Sequence, residues 1–354
     1  MKIIVFCLSG IGDTIDVLPM LKLLRKSKPN YTIDVMTMYK QSKELIESQK
    51  IVDNVYLMDL FSKGKIKTSF WLLKTSIKNF KKYDVSINAY PGNRREYNLV
   101  SFFVNAKKRI GHDYLMKKAY TKTLTFLHTD LIKQRYPLHN IDENLRLLEP
   151  LDIKYTKEDQ ELSIKLTNDQ KKFAEDYVEN LDLGEKFLIG IHPGGGGFKN
   201  MEKKRWDKDR FAELIKSIAH THDSKVLLFG SDNEDQLKQY LMNKTKVKPI
   251  NFKGSVMETA AVMEKCKLVI TNDTLILHLA HALKTPSITI FGPTDFRLVI
   301  PRNVDHEIVT NNFYCSPCYF YSNMSLGCPE NLDYACLKSI TVEQVMESVN
   351  RMLE

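Results

Sequence analysis

A Gly-Ile-Gly-Asp segment at residues 10–13 follows the first apolar run of the chain and precedes a helical pattern. Gly10 and Gly12 would let the backbone approach a ligand closely, because glycine carries no Cβ atom. Asp13 would lie at the N-terminus of the predicted helix, where the helix dipole stabilises a negative charge. The segment predicts either a carboxylate that acts on a bound ligand or a capping Asp, and for an isolated motif capping is the stronger interpretation.

The apolar run FLIGIHP leads into a second loop of unusual composition. Four consecutive glycines, Gly194 to Gly197, precede the basic cluster Lys203-Lys204-Arg205. Glycines cost conformational entropy on folding, so four in a row favour either a loop whose bare amides pass close to a phosphate or a mobile loop. The signature GxxxxGK[ST] is absent from the sequence, which excludes a P-loop nucleotide hydrolase.

Two acidic motifs occur at predicted helix starts. Asp273 and Thr274 close a strand-like run and open the helical run LILHLAHALK, so the backbone amides there could form an anion site, with ordinary capping as the alternative. Asp207 and Asp209 form a DxD motif of the kind that can hold a divalent cation on a diphosphate. The position of this motif at a helix start favours capping instead.

Four of the six cysteines lie close together near the C-terminus, at Cys315, Cys318, Cys328 and Cys336. Thiolates bind zinc or iron tetrahedrally, and a CxxC pair supplies two ligands from one turn. The wider spacing of the last two cysteines leaves two interpretations open, a structural metal site and a set of reduced thiols that bind no metal.

The composition predicts a globular protein of two ordinary domains. The chain has 354 residues, of which 43% are apolar and 27% charged, and this excludes long disordered regions and a small disulfide scaffold. It contains no stretch of about 18 uncharged apolar residues, so no transmembrane helix is expected. The opening run MKIIVFCL is too short for a secretory signal and is predicted to be a buried strand of a cytoplasmic protein.

The excess of positive charge is confined to the first half of the chain. Residues 1–150 contain 26 Lys and Arg against 14 Asp and Glu, whereas residues 151–354 contain 26 against 29. The first half is therefore predicted to face an anionic partner, such as nucleic acid, a phosphorylated lipid or an acidic membrane surface, with simply solvated lysines as the alternative. No known nucleic-acid-binding motif is present, so no nucleic-acid partner is expected.

Strand-like apolar runs alternate with helical patterns along the chain, which is typical of α/β proteins with parallel sheets. The predicted strands cover residues 2–8, 31–38, 52–58, 83–90, 187–193, 225–231, 268–273 and 287–295. The predicted helices cover residues 14–29, 69–82, 94–106, 138–151, 207–222, 232–244, 255–266 and 274–285. A basic, irregular stretch is predicted up to about Pro137. The pattern indicates two doubly wound units with a boundary between about 155 and 180, and ligands are expected at the carboxyl ends of their strands.

Taken in order, these motifs resemble glycosyltransferase family 9, the lipopolysaccharide heptosyltransferases and their relatives. The segments that carry the resemblance are SGIGDTIDVLP, INAYPGNRREYNLVSFFVNAKKRIGHD, HNIDENLRLLEPL, IGIHPGG with KKRW, LLFGSDNED and NDTLILHLAHALKTPSITIFGPTD. The resemblance implies an α/β fold of the GT-B type, with two Rossmann-like, doubly wound domains that face a cleft. Residues 1–165 would bind the acceptor, residues 175–340 with the Cys-rich segment 315–336 would bind the nucleotide sugar, and residues 341–354 would form a terminal helix.

The resemblance also implies a reaction: inverting, metal-independent transfer of heptose from ADP-heptose to a lipopolysaccharide core acceptor, with no cofactor needed for catalysis. An anionic glycolipid acceptor and peripheral contact with the cytoplasmic face of the inner membrane would fit the basic first half. Asp13 matches the family's catalytic base, which takes a proton from the acceptor hydroxyl. Lys204 matches the Lys that stabilises the departing ADP, and Asp273 and Thr274 match the donor-binding Asp-Thr pair.

Further site residues carry over from the family by position. On the donor side, Glu234 matches an acid that bonds the adenosine ribose, and His278 matches a His in the helix after the Asp-Thr pair. The glycine loop adds Gly194 and Gly195 to the donor side. On the acceptor side the candidates are Ser9, Gly12, Arg94, Arg95, Lys107 and Arg109, the basic ones by position and charge only, with surface solvation as the alternative.

The sequence departs from the family pattern at two positions. Leu275 stands where the family usually has Gly, so its Cβ could crowd the phosphates or the sugar, and Phe296 replaces a common Pro. The cysteine cluster resembles an iron site in protein-glycosylating relatives, which implies a structural zinc or iron finger. A glycosyltransferase that uses another nucleotide sugar or a protein acceptor is the alternative within this enzyme class. Two further alternatives lie outside the class of glycosyltransferases: a nucleotide-sugar epimerase or hydrolase, and a metal-bearing nucleic-acid-binding or scaffold protein.

Overall fold

The computed structural model describes residues 1–58, 82–92, 94–115, 124–196, 198–311, 313–320 and 326–354. Contacts divide the chain into two units, one of Met1–Leu162 and one of Ser163–Phe320 with the C-terminal stretch that ends at Glu354. Each unit is built around one parallel sheet, so the predicted α/β fold with two doubly wound units is confirmed. Gly197 and most of the predicted helix over 69–82 lie outside the described residues.

The sheet of the first unit has six described strands, all paired in parallel. They are β1 (Lys2–Cys7), β2 (Thr32–Thr37), β3 (Asn54–Leu57), β4 (Val85–Asn88), β5 (Lys108–Asp113) and β6 (Asp130–Lys133). Their order is β3-β2-β1-β4-β5-β6, which places β1 and β4 side by side at the centre. The residues from Ile3 to Cys7 are buried, as expected for a central parallel strand that is covered on both faces.

The helices of the first unit follow its strands. In the described residues they are α1 (Ile11–Asp16), α2 (Leu18–Ser27), α3 (Lys40–Ser48), α4 (Arg95–Val104) and α5 (Asn140–Arg146). The single helix predicted over 14–29 is wrong, because the chain forms two helices that are separated at Val17. Pro19 explains the break, since a residue without a backbone N–H is favoured in the first turn of a new helix.

The second unit repeats the arrangement of the first. Its described strands are β7 (Phe187–His192), β8 (Ser224–Leu228), β9 (Ile250–Asn251), β10 (Leu268–Asn272), β11 (Ser287–Ile290) and β12 (His306–Val309). Its described helices are α6 (Asn168–Glu179), α7 (Lys208–Thr221), α8 (Asp235–Lys244), α9 (Val256–Met263), α10 (Leu275–Leu283), α11 (Ala335–Lys338) and α12 (Val342–Leu353). The strand order is β12-β11-β10-β7-β8-β9. Among the helices of the described ranges, none combines the length and apolarity that a bilayer crossing requires.

Several elements carry too little apolar signal to be predicted. Strands β6, β9 and β12 stand at sheet edges, and of their residues only Val309 in β12 is buried. The irregular stretch predicted up to Pro137 is wrong at β6. Helix α6 buries a single residue, Ala174, so it lacks an apolar stripe. The capping interpretation of the DxD motif is confirmed, since Asp207 Oδ1 accepts the N–H groups of Asp209 at 2.8 Å and Arg210 at 3.2 Å.

The strand orders place a switch point in each sheet. In the first sheet the chain moves from β1 outwards to β3 and then returns to β4 on the other side of β1. In the second sheet it moves from β7 outwards to β9 and returns to β10 on the other side of β7. Ligands of doubly wound proteins bind outside the carboxyl ends of such strand pairs. The loops after β1, β4, β7 and β10 are therefore where a site is expected.

Trp206 anchors the segment that follows the glycine loop to the core of the second unit. Its ring is buried, and its Nε1–H donates to the Ile340 carbonyl oxygen at 3.0 Å. Its backbone N–H donates to Asn272 Oδ1 at 2.9 Å, which ties the segment to the end of β10. The Trp206 ring also packs edge-to-face on the Phe211 ring, with 5.1 Å between the ring centres. Trp206 therefore contacts three separate parts of the sequence through its side chain and its backbone N–H.

Trp206→Ala is expected to lower the free energy of unfolding by about 3–5 kcal/mol, because it leaves a large cavity in the core. Chemical denaturation followed by circular dichroism measures the change. Tyr314→Ala is the control, since the Tyr314 side chain is 79% exposed and its loss should change the free energy by less than about 0.5 kcal/mol. Equal stability of the two variants would contradict the anchoring role of Trp206.

Candidate functional site

The Asp13 side chain folds back onto the loop that follows β1. Its Oδ2 accepts the backbone N–H of Gly10 at 2.9 Å, and the Gly10 carbonyl oxygen accepts the N–H of Thr14 at 3.0 Å. Asp13 is the third residue of α1 and is half-buried, as are Ser9 and Gly12 in the same loop. Asp13 therefore caps α1 from its third position, with Gly10 as the N-cap residue, so the prediction of Asp13 itself as the N-cap is wrong. The same bond fixes the carboxylate at the switch point of the first sheet.

Two tyrosine hydroxyls lie within the electrostatic influence of both Asp13 and Arg94, which follows β4. Burial raises the pKa of the Tyr39 hydroxyl, while the Arg94 guanidinium opposes this rise and the Asp13 carboxylate adds to it. The Tyr97 hydroxyl has a raised pKa from burial and feels the same two charges, and the Arg94 guanidinium lies 5.7 Å from the Tyr97 ring centre. The structure therefore brings Asp13 and Arg94 into one neighbourhood, with the exposed Arg95 beside them at the start of α4.

Arg109 lies elsewhere on the first sheet. It is the second residue of β5 and pairs with Ser86 on β4, close to the amino ends of the strands. Its guanidinium donates to the carbonyl oxygens of Leu127 at 2.8 Å and Ala106 at 2.9 Å. The guanidinium also lies 5.7 Å from the Phe102 ring centre. The structure thus does not bring Arg109 together with Asp13, and Lys107 directly precedes the same strand.

An ion pair stands at the carboxyl end of β10 in the second unit. Lys204 Nζ lies 2.6 Å from Asp273 Oδ2, and the Thr294 hydroxyl donates to the same oxygen at 2.7 Å. Burial alone would raise the pKa of Asp273, but the Lys204 ammonium, the Thr294 hydroxyl and the charge of His278 together hold it below its ordinary value. Asp273 is therefore ionised at neutral pH and fixes the position of the ammonium group.

Thr274 caps helix α10, which is long enough to have a dipole that favours anions. The Thr274 Oγ1 accepts the N–H of Ile276 at 3.3 Å. Leu275 is the first residue of the helix and is half-buried, and His278 is buried one turn further on. The structure thus brings the predicted donor-side residues Lys204, Asp273, Thr274 and His278 to one edge of the second sheet.

Glu234 is buried beneath the glycine loop and accepts hydrogen bonds with both of its carboxylate oxygens. Oε1 accepts the N–H of Gly195 at 2.6 Å, and Oε2 accepts the N–H and the hydroxyl of Ser231 at 2.8 and 3.0 Å. Burial would raise the pKa of Glu234, but His192 and these amide donors lower it to about 2. The carboxylate is therefore ionised and anchors the loop.

The described part of the glycine loop needs glycine at one position for a steric reason. A Cβ on Gly194 would lie 1.8 Å from Glu234 Oε1, whereas one on Gly195 would meet Arg205 Cγ at 3.4 Å. From the sequence, the glycines are explained by close approach of the loop to a phosphate or by mobility of the loop. At Gly194 the structure gives a different reason, because the loop backbone packs directly on the protein's own carboxylate.

Three residues of this site are not predicted as site residues from the sequence. Asn272 donates from Nδ2 to the carbonyl oxygens of Pro193 at 3.1 Å and Gly194 at 2.9 Å, which closes the loop onto β10. His192 lies 3.0 Å from Thr274 Oγ1 through its Nδ1 atom. Thr294 bonds Asp273, as described above. All three stand at or just beyond strand ends, which is the signal that could have found them.

The four clustered cysteines do not form a recognisable metal site. Burial raises the pKa of the Cys318 thiol to about 11, and the other three thiols of the cluster add to the rise. Among the residues that the structure describes, which include all four cysteines, no group of three or more His, Cys, Asp or Glu side chains is placed to hold a metal ion. The arrangement of these thiols therefore gives no support to the predicted zinc or iron finger.

The sequence of this chain is similar to those of known glycosyltransferases. The sequence profile of glycosyltransferase family 9 (heptosyltransferase) matches residues 73–327. Lipooligosaccharide heptosyltransferase 2 from Campylobacter jejuni is 29% identical over 262 residues, which cover 70% of this chain and 76% of that protein.

Solved structures share the fold over the full chain. A family 9 glycosyltransferase from Veillonella parvula superposes with a TM-score of 0.76 at 22% identity, covering 99% of this chain and 97% of that one. ADP-heptose lipopolysaccharide heptosyltransferase II from Escherichia coli gives a TM-score of 0.71 at 20% identity, with 100% and 98% coverage. Since the family profile spans more than half of the sequence, this chain belongs to glycosyltransferase family 9 and is a glycosyltransferase.

Proposed function

We propose that this protein transfers heptose from ADP-heptose to a lipopolysaccharide core sugar, with inversion at the anomeric carbon and without a metal ion. The observation that carries the proposal is the placement of Asp13 at one switch point and of the Lys204–Asp273–Thr274 group at the other. A family 9 relative named as a lipooligosaccharide heptosyltransferase supports the sugar, and a solved one named for ADP-heptose supports the donor.

Asp13 is the proposed catalytic base. The acceptor hydroxyl oxygen attacks the anomeric carbon of the donor from the face opposite the diphosphate, and its proton passes to the Asp13 carboxylate. The new carbon–oxygen bond forms as the bond to the ADP oxygen breaks, so the configuration inverts. The bond from Gly10 holds the carboxylate in one orientation, and positioning of this kind removes much of the entropic cost of the reaction.

The second unit is proposed to stabilise the departing ADP. The Lys204 ammonium, the Thr274 hydroxyl and the first amides of α10 supply positive charge and hydrogen-bond donors at one place. This set of groups offers what a metal ion would otherwise supply to a diphosphate, namely charge that is fixed before the reaction begins. His278, Gly194 and Gly195 are proposed to complete the donor site.

The acceptor is proposed to be an anionic glycolipid at the cytoplasmic face of the inner membrane. The first 150 residues contain 26 Lys and Arg but only 14 Asp and Glu, and this positive charge supports an anionic partner. Arg94 supports it more specifically, because its guanidinium lies in the neighbourhood of Asp13 and can bind a phosphate or carboxylate of the acceptor. Arg95, Ser9 and Gly12 border the same place.

Asp13→Asn is expected to reduce kcat by at least about 100-fold, because the amide can still accept the Gly10 bond but cannot take a proton. ADP release from ADP-heptose with a lipopolysaccharide core acceptor measures the rate, in the presence of a chelator, and nuclear magnetic resonance of the product gives the anomeric configuration. Asp152→Asn, at an exposed position, is the control. Full activity of the Asp13 variant, or a product with retained configuration, would disprove the mechanism.

Lys204→Ala is expected to reduce kcat by about 100- to 1000-fold, since it removes a charge that stabilises the leaving group. It should also abolish the rise in melting temperature that ADP and ADP-heptose give the parent protein. Lys203→Ala, the exposed neighbour, is the matched control and should behave like the parent. The same melting experiment with UDP- and GDP-sugars tests the donor, and stabilisation by one of these instead of ADP-heptose would refute the proposed substrate.

Arg94→Ala is expected to raise the KM for the glycolipid acceptor roughly tenfold, because it removes a charged hydrogen-bond donor from the neighbourhood of Asp13. The KM for the donor should stay constant. Lys107→Ala provides a matched loss of charge at the other, amino edge of the same sheet. Equal effects of the two substitutions would indicate a general electrostatic attraction and would contradict a specific contact at Arg94.

A further inference from the structure

The ring of His192 lies between two groups whose roles the sequence assigns separately. His192 is the last residue of β7 and pairs in register with Thr271 on β10. Its Nδ1 atom lies 3.0 Å from the Thr274 hydroxyl, and its Nε2 atom lies 3.4 Å from Glu234 Oε1. The side chain is buried, with 5% of the residue exposed. A buried imidazole with both edges engaged in this way has little freedom to rotate.

Glu234 is itself held in place from the protein side. The N–H of Gly195 and two groups of Ser231 donate to its carboxylate, so its position does not depend on a ligand. The loop can lie this close to Glu234 because residue 194 is a glycine. A Cβ atom at this position would also lie 2.9 Å from His192 Nε2. The loop, the carboxylate and the ring therefore form one packed unit under the proposed donor site.

The Thr274 hydroxyl is the end of this chain of contacts. It accepts the N–H of Ile276 at 3.3 Å, and it lies 3.1 Å from Thr271 Oγ1 as well as 3.0 Å from His192 Nδ1. A threonine side chain has three staggered rotamers, and these three contacts hold Oγ1 in the observed one. The His192 imidazole makes the shortest of these three contacts.

We propose that His192 is a positioning residue for donor binding, an inference that rests on the proposed function of this edge of the sheet. Glu234 fixes the Nε2 edge of the ring, and the Nδ1 edge then holds the Thr274 hydroxyl at the N-terminus of α10, where the donor diphosphate binds. His192 itself does not contact the diphosphate. Its contribution to affinity therefore depends on the presence of the Thr274 hydroxyl.

A double-mutant cycle tests this dependence on the full-length protein. His192→Gln keeps an amide near the position of Nε2 but has no atom equivalent to Nδ1, and Thr274→Val removes the hydroxyl. Each single variant is expected to raise the Kd for ADP about tenfold, measured by isothermal titration calorimetry. The double variant should match Thr274→Val alone to within about twofold, because a hydroxyl that is absent cannot be misplaced.

A matched pair of glycine variants tests the other end of the contact chain. Gly194→Ala forces a methyl group into the position of the Glu234 carboxylate, so it should weaken ADP binding. Among the neighbours that the structure describes, a Cβ on Gly196 would meet only Met201 Cβ, at 3.8 Å, so Gly196→Ala should bind ADP like the parent. Melting temperatures of the unliganded proteins show whether each variant is folded.

The outcomes separate the inference from the proposed function. If His192→Gln and Thr274→Val weaken ADP binding additively, the positioning role of His192 is wrong while the donor site stands. If Thr274→Val leaves the ADP affinity unchanged, the donor site itself is wrong and the inference falls with it. Glu234→Gln, which keeps the shape of the side chain, replaces His192→Gln in the cycle if that variant unfolds, and the same coupling is expected.

Discussion

The reversal of strand order between β1 and β4, and again between β7 and β10, is the constraint on which both candidate sites depend. On either side of such a reversal the connections leave the sheet in opposite directions, so the carboxyl ends between them stay uncovered. Asp13 and Arg94 follow the first pair of strands, and His192 and Asp273 end or follow the second pair. Residues that are far apart in sequence thus meet because neighbouring parallel strands end at the same edge.

Charge at these edges is arranged before any ligand arrives. In the second unit the Lys204 ammonium is paired with Asp273, and the Glu234 carboxylate is satisfied by amides and a hydroxyl. Buried charges without partners would be costly, and the partners of Asp273 and Glu234 lower the pKa of each carboxyl group against the effect of burial. The pairing also restrains the long Lys204 side chain, and a restrained group would lose less entropy on binding the proposed diphosphate. Stability and preorganisation therefore come from the same contacts.

The central strands and the motifs at their ends could be predicted from the sequence, whereas contacts between distant loops could not. Apolar runs identify β1, β4, β7 and β10 because strands buried on both faces have an apolar signal that edge strands lack. The Gly-rich loop is visible as a motif, but the reason for Gly194 is a carboxylate 40 positions later in the chain. The role of His192 is hidden for the same reason, since a histidine at the end of an apolar run shows neither of its two ring partners. The family resemblance supplied roles for Asp13 and Lys204 that spacing alone leaves open.

The structural and the proposed chemical roles of Asp13 are compatible because a carboxylate offers about four lone-pair positions on two oxygens. The bond from Gly10 uses one of them and sets the orientation of the group. The N-terminus of α1 favours the ionised form, which a base requires, but it also makes the carboxylate a weaker proton acceptor. A weak base is sufficient if the proton moves late, after the acceptor oxygen has begun to bond to the anomeric carbon and its hydroxyl has become strongly acidic. In the proposed reaction this position of Asp13 favours departure of ADP before proton transfer. The main demand for stabilisation would then fall on the groups around Lys204 and Thr274.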